Sequence, residues 1–294
     1  MTKYVLSLDG GGVRGLASAN FLRKLEFEMH KPLLEKFDLV CGSSTGGILA
    51  IALSVLKLNG SRLVNIYSSR NLKRIFSTSM PRVIGPKYGG RRKNNVLREY
   101  FGSLTLAEAE TPAIAVSYDL KNRSTRLFKT FVDKDLEAWK VASATSAAPT
   151  FFPAIKINDN WYIDGAISSN NPVLIAYAEA KKLWPDENIK ILSIGTGYDD
   201  KPYKGKKTKN WGIFSWLRGG IIQVLMESNS EHLIAESLFK ENYLRINSNL
   251  DSVASEIDNS SDHNLEECLK MGDQWWDQFG FETLEFLITS TDKA

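Results

Sequence analysis

A serine flanked by glycines is the residue whose setting most favours chemistry. Ser44 stands at the centre of Gly42-Ser43-Ser44-Thr45-Gly46, a G-x-S-x-G pattern, with a short apolar run before it and a long apolar stretch after it. Small residues on both sides permit the sharp turn from a strand into a helix that exposes a serine at the edge of a sheet. The pattern therefore predicts that Ser44 is a nucleophile, with Gly42, Thr45 and Gly46 supporting the turn.

A serine hydroxyl is a poor nucleophile until a base accepts its proton. The sequence contains three histidines, His30, His232 and His263, each in a polar or helical stretch without a catalytic motif. His232 and His263 follow Asp164, so the chain order Ser, Asp, His of the α/β-hydrolases stays an alternative. Asp164 is the better candidate for the base, because a predicted strand ends at this carboxylate and Gly165 then lets another backbone or a substrate come close. By itself, an Asp-Gly pair would also be an ordinary turn.

A run of glycines lies between the first predicted strand and the first predicted helix. Gly10, Gly12 and Gly15 match the dinucleotide fingerprint G-x-G-x-x-G in the correct position. A dinucleotide site would next need an acidic residue at the end of the second strand to bind a ribose, and that strand instead leads into Ser43 and Ser44. The second strand therefore argues against a nucleotide site.

Free N–H groups at the start of a helix favour negative charge, and glycines let the backbone approach a ligand closely. We therefore interpret Gly10, Gly11 and Gly12 as donors to the oxyanion of a tetrahedral intermediate. Arg14 would add positive charge or fix the loop. A glycine turn without a ligand is the alternative interpretation.

The elements that position these motifs alternate between strand and helix. The alternation predicts an α/β fold in which a largely parallel sheet is covered by helices on both faces. Two stretches rich in Gly, Lys and Arg, residues 80–95 and 199–210, are predicted to be surface loops. The predicted strands are 4–8, 37–41, 113–120, 126–130, 162–163 and 189–194, and the predicted helices are 16–34, 45–58, 136–148 and 172–183.

The chain of 294 residues is predicted to be one domain, with a core over about residues 4–200 and a mainly helical extension over about 211–294. Hydrophobic residues make up 43% and charged residues 24%, which is typical of a globular protein and excludes disorder of the whole chain. The net charge of +3 is too weak to indicate nucleic acid as a partner, although it is compatible with an anionic membrane surface.

No apolar run approaches the ~18 residues of a membrane span, and the N-terminus lacks the pattern of a signal peptide. We therefore expect a cytoplasmic protein that meets membranes from their surface. The candidates for peripheral membrane contact are the basic stretches 87–93 and 201–209 and the aromatic stretch 211–217. The alternatives are solvated loops for the basic stretches and core packing for the aromatic one.

The order of the three motifs resembles the patatin family of lipid acyl hydrolases. In this chain the motif Asp9-Gly-Gly-Gly-Val-Arg-Gly15 is followed about thirty residues later by the motif around Ser44, and far downstream by Asp164-Gly-Ala. Stretches 146–153, 192–197 and 242–246 are also similar to patatin, so the resemblance extends from about residue 4 to about residue 246.

The resemblance implies a three-layer αβα fold with a mainly parallel central sheet and a helical C-terminal part. It also implies a serine-aspartate dyad in place of a triad: Ser44 as nucleophile, Asp164 as base, and oxyanion donors in the glycine run ending at Gly12. The expected reaction is release of fatty acids from glycerophospholipids or related acyl lipids through an acyl-enzyme, without a metal or a cofactor.

Two other function classes stay open. Some bacterial relatives of this fold are effectors that a cyclic nucleotide activates against membranes, and the compact length and basic loops are compatible with that role. A non-catalytic storage or scaffold protein is the third class, although a scaffold has no need of Ser44, Asp164 and the glycine run together.

A homo-oligomer is a further alternative, because an apolar helix stripe packs either on the core or on a second copy. The residues of this stripe are Leu265, Leu269, Trp275, Trp276 and Phe279.

Overall fold

The computed structural model describes residues 1–77, 85–200, 205–209, 212, 215 and 230–288. The strands of its central sheet are β1 (Thr2–Leu8), β2 (Leu39–Ser43), β3 (Ala113–Asp119), β4 (Ser124–Lys129), β5 (Ile155–Ile157), β6 (Asn160–Asp164), β7 (Asn188–Ile194) and β8 (Tyr243–Ile246). Their order in the sheet is β5-β6-β3-β2-β1-β7-β8, and β4 pairs with β3 beside this path.

The middle of the sheet is parallel and buried on both faces. Strands β3, β2, β1, β7 and β8 run parallel, whereas β4, β5 and β6 join antiparallel at one side. Successive residues of β1 point to opposite faces, so that Val5 packs in one apolar cluster while Leu6 and Leu8 pack in the other. Burial on both faces explains why these strands are continuous apolar runs in the sequence.

Helices cover both faces of the sheet, which confirms the predicted three-layer fold. In the described part of the chain the helices are α1 (Gly15–Met29), α2 (Leu33–Lys36), α3 (Thr45–Leu56), α4 (Gly60–Ile66), α5 (Ser69–Ile75), α6 (Gly90–Phe101), α7 (Ala138–Thr145), α8 (Val173–Leu183), α9 (Gly205–Thr208), α10 (Ser230–Phe239) and α11 (Asp262–Leu287). Helices α8 and α10 pack on the face that contains Val5, and the larger group of helices packs on the face that contains Leu6.

The prediction of one continuous helix over residues 16–34 was wrong. Helix α1 ends at Met29, His30 adopts a left-handed conformation with φ 52°, and α2 begins only after Pro32. Proline has no N–H to donate and disfavours helical geometry in the residue before it, which separates the two helices.

The prediction of a surface loop over residues 80–95 was also wrong for residues 90–95. Residues from Gly90 onward belong to α6, whose buried residues Lys93, Val96, Leu97 and Phe101 recur at helical spacing. The charged residues on the exposed side of α6 obscured this pattern in the sequence. Residues 78–84 lie outside the described part of the chain.

The membrane-contact predictions change accordingly. Lys93 is buried, so it does not belong to an exposed basic loop. Lys87 forms an ion pair with Asp258. Most of the aromatic stretch 211–217 and residues 201–204 of the basic stretch lie outside the described residues, whereas Gly205–Thr208 form α9. Peripheral contact stays a prediction. Among the described helices, none has both the length and the apolar character needed to cross a bilayer.

The C-terminal part contributes a strand to the sheet as well as helices. Strand β8 pairs in parallel with β7, so the sheet continues beyond residue 200, where the core was predicted to end. Helix α11 then packs closely on α1 because Gly272 has no side chain. A Cβ on Gly272 would lie only 2.7 Å from the carbonyl oxygen of Ala17. In the predicted apolar stripe, Leu265 and Trp275 are buried and the other three residues pack on the same core.

Candidate active site

Ser44 occupies the turn between β2 and α3. Its backbone has φ 53° and ψ −121°, an uncommon conformation for a residue with a side chain. The turn needs the glycines around it, since a Cβ on Gly42 would lie 2.0 Å from the oxygen of Gly46, and one on Gly46 would lie 2.2 Å from the oxygen of Leu8. The Ser44 N–H donates to Thr145 Oγ1 at 3.1 Å, which holds the turn against α7.

Asp164 ends β6 directly beside Ser44. The hydroxyl of Ser44 donates to Asp164 Oδ2 at 2.6 Å, and the N–H of Ala166 donates to Oδ1 at 2.8 Å. Both carboxylate oxygens are therefore engaged, and Asp164 is only 1% exposed. A Cβ on Gly165 would lie 2.2 Å from the oxygen of Val116, so this glycine lets the chain pass close to β3.

The histidine alternative receives no support from the geometry. His232 lies with Nδ1 3.1 Å from the hydroxyl of Tyr243 in β8. His30 follows α1, and His263 lies in the first turn of α11. Asp164 is the titratable group that contacts the Ser44 hydroxyl within the described residues.

Burial increases the basicity of the Asp164 carboxylate. Loss of contact with water raises the pKa of this carboxyl to about 6. The hydrogen bonds from Ser44 and Ala166 and the positive charge of Lys93 act in the opposite direction. A carboxylate with a pKa near the working pH accepts a proton more readily than an exposed aspartate, whose ordinary pKa is 3.8.

The glycine run packs against Ser44, but its three amides are not equivalent. A Cβ on Gly10 would lie 3.0 Å from the Cβ of Ser44, so the run and the serine are in direct contact. The N–H of Gly10 already donates to the oxygen of Asn170 at 3.1 Å, which removes Gly10 from the predicted oxyanion donors. The amides of Gly11 and Gly12 have no protein acceptor in the part of the chain that the structure describes. Gly12, with φ 60°, also lines the cavity next to Ser44.

Arg14 is buried at the start of α1 and is 2% exposed. Its positive charge acts on Cys268 of α11, and it is not among the residues that line the cavity next to Ser44. This placement favours the loop-fixing interpretation of Arg14. Gly15 beside it makes room for the hydrogen bond between Thr45 and Tyr67, because a Cβ there would lie 2.6 Å from either hydroxyl.

Asp9, directly before the glycine run, belongs to a buried ion pair that no motif in the sequence indicated. Arg245 of β8 contacts both carboxylate oxygens of Asp9, and its Nη1 lies 2.9 Å from Asp9 Oδ1. The same Nη1 donates to Ser193 Oγ at 2.7 Å. Thr196 Oγ1 donates to the oxygen of Gly10 at 2.7 Å. The ends of β1, β7 and β8 therefore fix the position of the run.

An apolar cavity opens beside Ser44. Phe76 and Phe152 of its lining contact each other and also the ring of Tyr88, with ring centroids 5.2 to 5.9 Å apart. Among the described residues that line the cavity, Lys93 is the charged one. The helical spacing of Lys93, Val96 and Leu97 is the sequence pattern that could have predicted its burial. The apolar side chains of the lining include Ile48, Ile66, Leu72, Ile75, Val96 and Leu97.

The described residues contain no group of three or more His, Cys, Asp or Glu side chains that could hold a metal ion. Cys41 and Cys268 are both buried free thiols. Burial raises the pKa of Cys268 to about 12, which suits an inert apolar residue.

Several known proteins are similar to this chain in sequence or in fold. The family model described as patatin-like phospholipase matches residues 6–177. Patatin-like protein 2 of Oryza sativa subsp. indica is 31% identical, and the alignment covers 93% of this chain and 84% of that protein. Patatin-like protein 1 of Arabidopsis thaliana is 29% identical, with 92% of this chain and 80% of that protein covered.

The crystal structure of VipD from Legionella pneumophila has a similar fold. Its TM-score is 0.54 at 11% sequence identity, and the match covers 92% of this chain and 67% of that one. The family match spans more than half of the chain, and the similarity to the rice protein extends over nearly all of it. The resemblance inferred from the motifs is confirmed, and this chain belongs to the patatin-like phospholipase family.

Proposed function

We propose that this protein is a serine acyl hydrolase that releases fatty acids from glycerophospholipids or related acyl lipids, with Ser44 as nucleophile and Asp164 as base. The observation that carries the proposal is the 2.6 Å hydrogen bond from Ser44 Oγ to the buried carboxylate of Asp164. Membership of a phospholipase family supports lipids as the substrate class.

The first half of the reaction forms an acyl-enzyme. Asp164 accepts the proton of Ser44 Oγ as this oxygen attacks the ester carbonyl carbon. The amides of Gly11 and Gly12 donate to the oxyanion that develops on the carbonyl oxygen. When the tetrahedral intermediate collapses, the bond to the glycerol oxygen breaks, and that oxygen takes the proton from Asp164.

The second half releases the fatty acid. A water molecule attacks the carbonyl carbon of the acyl-enzyme while Asp164 accepts one of its protons. The bond to Ser44 Oγ then breaks, the proton returns from Asp164 to the serine, and the fatty acid leaves. The apolar lining of the cavity suits the hydrocarbon part of an acyl chain, because burial of each CH₂ group is worth about 0.8 kcal/mol.

The proposal is tested by fatty-acid release from mixed phospholipid vesicles, with and without prior treatment by a serine-directed fluorophosphonate. We expect release by untreated protein, loss of release after treatment, and a covalent adduct on Ser44. Parallel assays with cyclic dinucleotides separate a constitutive hydrolase from an effector that needs activation. Folded protein that neither releases fatty acid nor takes up the phosphonate under any of these conditions would instead support the non-catalytic class.

The wild-type activity is expected to rise with pH through about 6. The protonated carboxyl of Asp164 cannot accept the serine proton, and burial raises the pKa of this group to about 6, so the active form is lost as the pH falls below that value. The measurement is kcat/KM for a water-soluble ester between pH 4.5 and 9. An acid limb that lies near pH 4 would show that the base titrates like an exposed aspartate.

A further inference from the structure

A lysine side chain is buried beside the proposed dyad without an ion-pair partner in contact. Lys93 of α6 is 3% exposed and lines the same cavity as Ser44. Its Nζ donates to the oxygen of Ser143 at 2.9 Å, to the oxygen of Ser146 at 2.8 Å and to Ser146 Oγ at 3.1 Å. An ammonium group has three donors, so these oxygens satisfy all of them. The proposed reaction steps do not involve Lys93.

The oxygens that bind Lys93 belong to the segment that holds both members of the dyad. Residues 143–147 form the C-terminal end of α7 and the turn after it. Within this segment, Thr145 Oγ1 accepts from the N–H of Ser44 at 3.1 Å. The oxygen of Ala147 accepts from the N–H of Asp164 at 3.1 Å. A cation at the C-terminal carbonyls of a helix is electrostatically favourable, so Lys93 stabilises the segment in the position that these contacts need.

The charge of Lys93 also reaches Asp164. Burial lowers the pKa of Lys93 to about 7, and the negative charge of Asp164 opposes that change. In return, the positive charge of Lys93 opposes the rise in the pKa of Asp164 that burial causes. Because Lys93 is protonated below about pH 7, its charge is present where Asp164 titrates.

Other charged groups on the neighbouring helices are directed to the surface. Helix α3 contains no titratable side chain. Several of the groups on α5, α6 and α7 are paired with each other or with nearby residues: Lys73 with Asp262, Arg74 with Glu99, and Lys140 with Glu137. Arg70, Arg91, Arg92 and Arg98 are exposed. Asp164 is therefore the charged group that acts on Lys93 from within the site.

We propose that Lys93 is a positioning residue for the reaction: its ammonium group fixes residues 143–147 around Ser44 and Asp164, and its positive charge favours the ionised carboxylate of Asp164. This inference rests on the proposed function. It assigns Lys93 no contact with the substrate's reacting atoms.

The test compares Lys93→Met, Lys93→Gln and Lys93→Arg. Methionine removes the charge and the donors, glutamine removes the charge but keeps donors, and arginine keeps both. For each protein we would measure, from pH 5 to 9, kcat/KM for a soluble ester and the rate constant of inactivation by a fluorophosphonate. The inactivation rate reports the reactivity of Ser44 without a lipid substrate. Lys140→Met, which removes a partly exposed lysine of α7 that is paired with Glu137, is the matched control.

We expect the acid limb of both profiles to move to higher pH in the Met and Gln variants and to stay in place in the Arg variant and in the control. The ratio of the rate at pH 6 to the rate at pH 8.5 should fall about fivefold or more when an opposite charge near a carboxylate is lost. A merely structural role would lower the rate equally at every pH and would leave the acid limb in place.

An unchanged acid limb in folded Met and Gln variants would overturn the inference. If Lys93→Met does not fold, the Gln and Arg variants decide the question, because their side chains retain hydrogen-bond donors. Melting temperatures identify any variant that has lost its structure. If the wild type takes up no phosphonate at Ser44, the proposed function fails, and this result differs from an active wild type whose variants share its pH profile.

Discussion

Replacing Asp164 with asparagine is expected to lower kcat for ester hydrolysis by about 10³-fold while the protein stays folded. Asparagine has nearly the same shape, and its oxygen can still accept the N–H of Ala166, which lies 2.8 Å from Asp164 Oδ1. Its amide nitrogen would then face Ser44 Oγ as a donor. Ser44 would lose both its base and the orientation of its proton, so Ser44→Ala is expected to lose at least as much activity.

The same substitution should leave stability unchanged or increase it. Burial raises the pKa of Asp164 to about 6, above the 3.8 of an ordinary aspartate. A carboxyl with a raised pKa stabilises the fold at low pH, and this contribution is lost as the pH rises through the folded-state value. At pH 7.5 Asp164 is therefore ionised in the native protein although burial disfavours its charge. Asparagine removes this desolvation cost. A melting temperature at or above that of the wild type would fit this expectation.

The control for Asp164→Asn is His232→Gln, because His232 contacts Tyr243 rather than Ser44. Initial rates of fatty-acid release and of phosphonate uptake should remain near the wild-type values in this control. Normal turnover by Asp164→Asn would exclude Asp164 as the base. Loss of activity in His232→Gln with retained activity in Asp164→Asn would restore the histidine alternative.

Replacing Arg245 with leucine is expected to destabilise the protein by about 3–5 kcal/mol. Arg245 and Asp9 form an ion pair in which the two side chains are only 10% and 6% exposed. Leucine would leave the carboxylate of Asp9 buried without a counter-charge, directly before the glycine run. Urea unfolding at pH 7.5 measures the loss, and the rate of phosphonate uptake by the folded fraction reports whether Gly11 and Gly12 have shifted.

The chain offers a matched control in Arg74, whose guanidinium also contacts both oxygens of a carboxylate, that of Glu99. These side chains are 37% and 57% exposed, so water solvates them when the pair is broken. Arg74→Leu is therefore expected to change the urea midpoint little. Equal losses in the two variants would show that burial of the Arg245–Asp9 pair is not what makes it important.

The loss in Arg245→Leu should also depend on pH. Burial raises the pKa of Asp9, and Arg245 opposes this rise. Without the arginine the folded-state pKa of Asp9 rises further, and a carboxyl with a raised pKa loses stability as the pH increases. The variant should therefore be closer to the wild type in stability at pH 5 than at pH 8. A pH-independent difference would point to lost packing of the arginine side chain instead.

The sequence by itself was sufficient for the family, the layered fold and the two residues of the proposed dyad. Each rests on a local pattern: a buried strand is a continuous apolar run, and the turn at Ser44 needs glycines at fixed offsets whatever surrounds it. Asp164 stood out through the strand before it and Gly165 after it. The structure places Ser44 and Asp164 in contact, and their catalytic roles stay predictions.

Other features of the site were decided only by tertiary structure. The N–H of Gly10 looks like an oxyanion donor in the sequence, but Asn170, which lies 160 positions away, binds it in the fold. The partners Asp9 and Arg245 are separated by 236 positions. In the sequence Lys93 lies in a predicted basic loop, and only the folded structure brings it to the oxygens of Ser143 in α7 and of Ser146 in the turn after α7. Local patterns report the conformation of a segment, whereas burial, hydrogen-bond partners and pKa depend on distant residues that only the completed fold brings together.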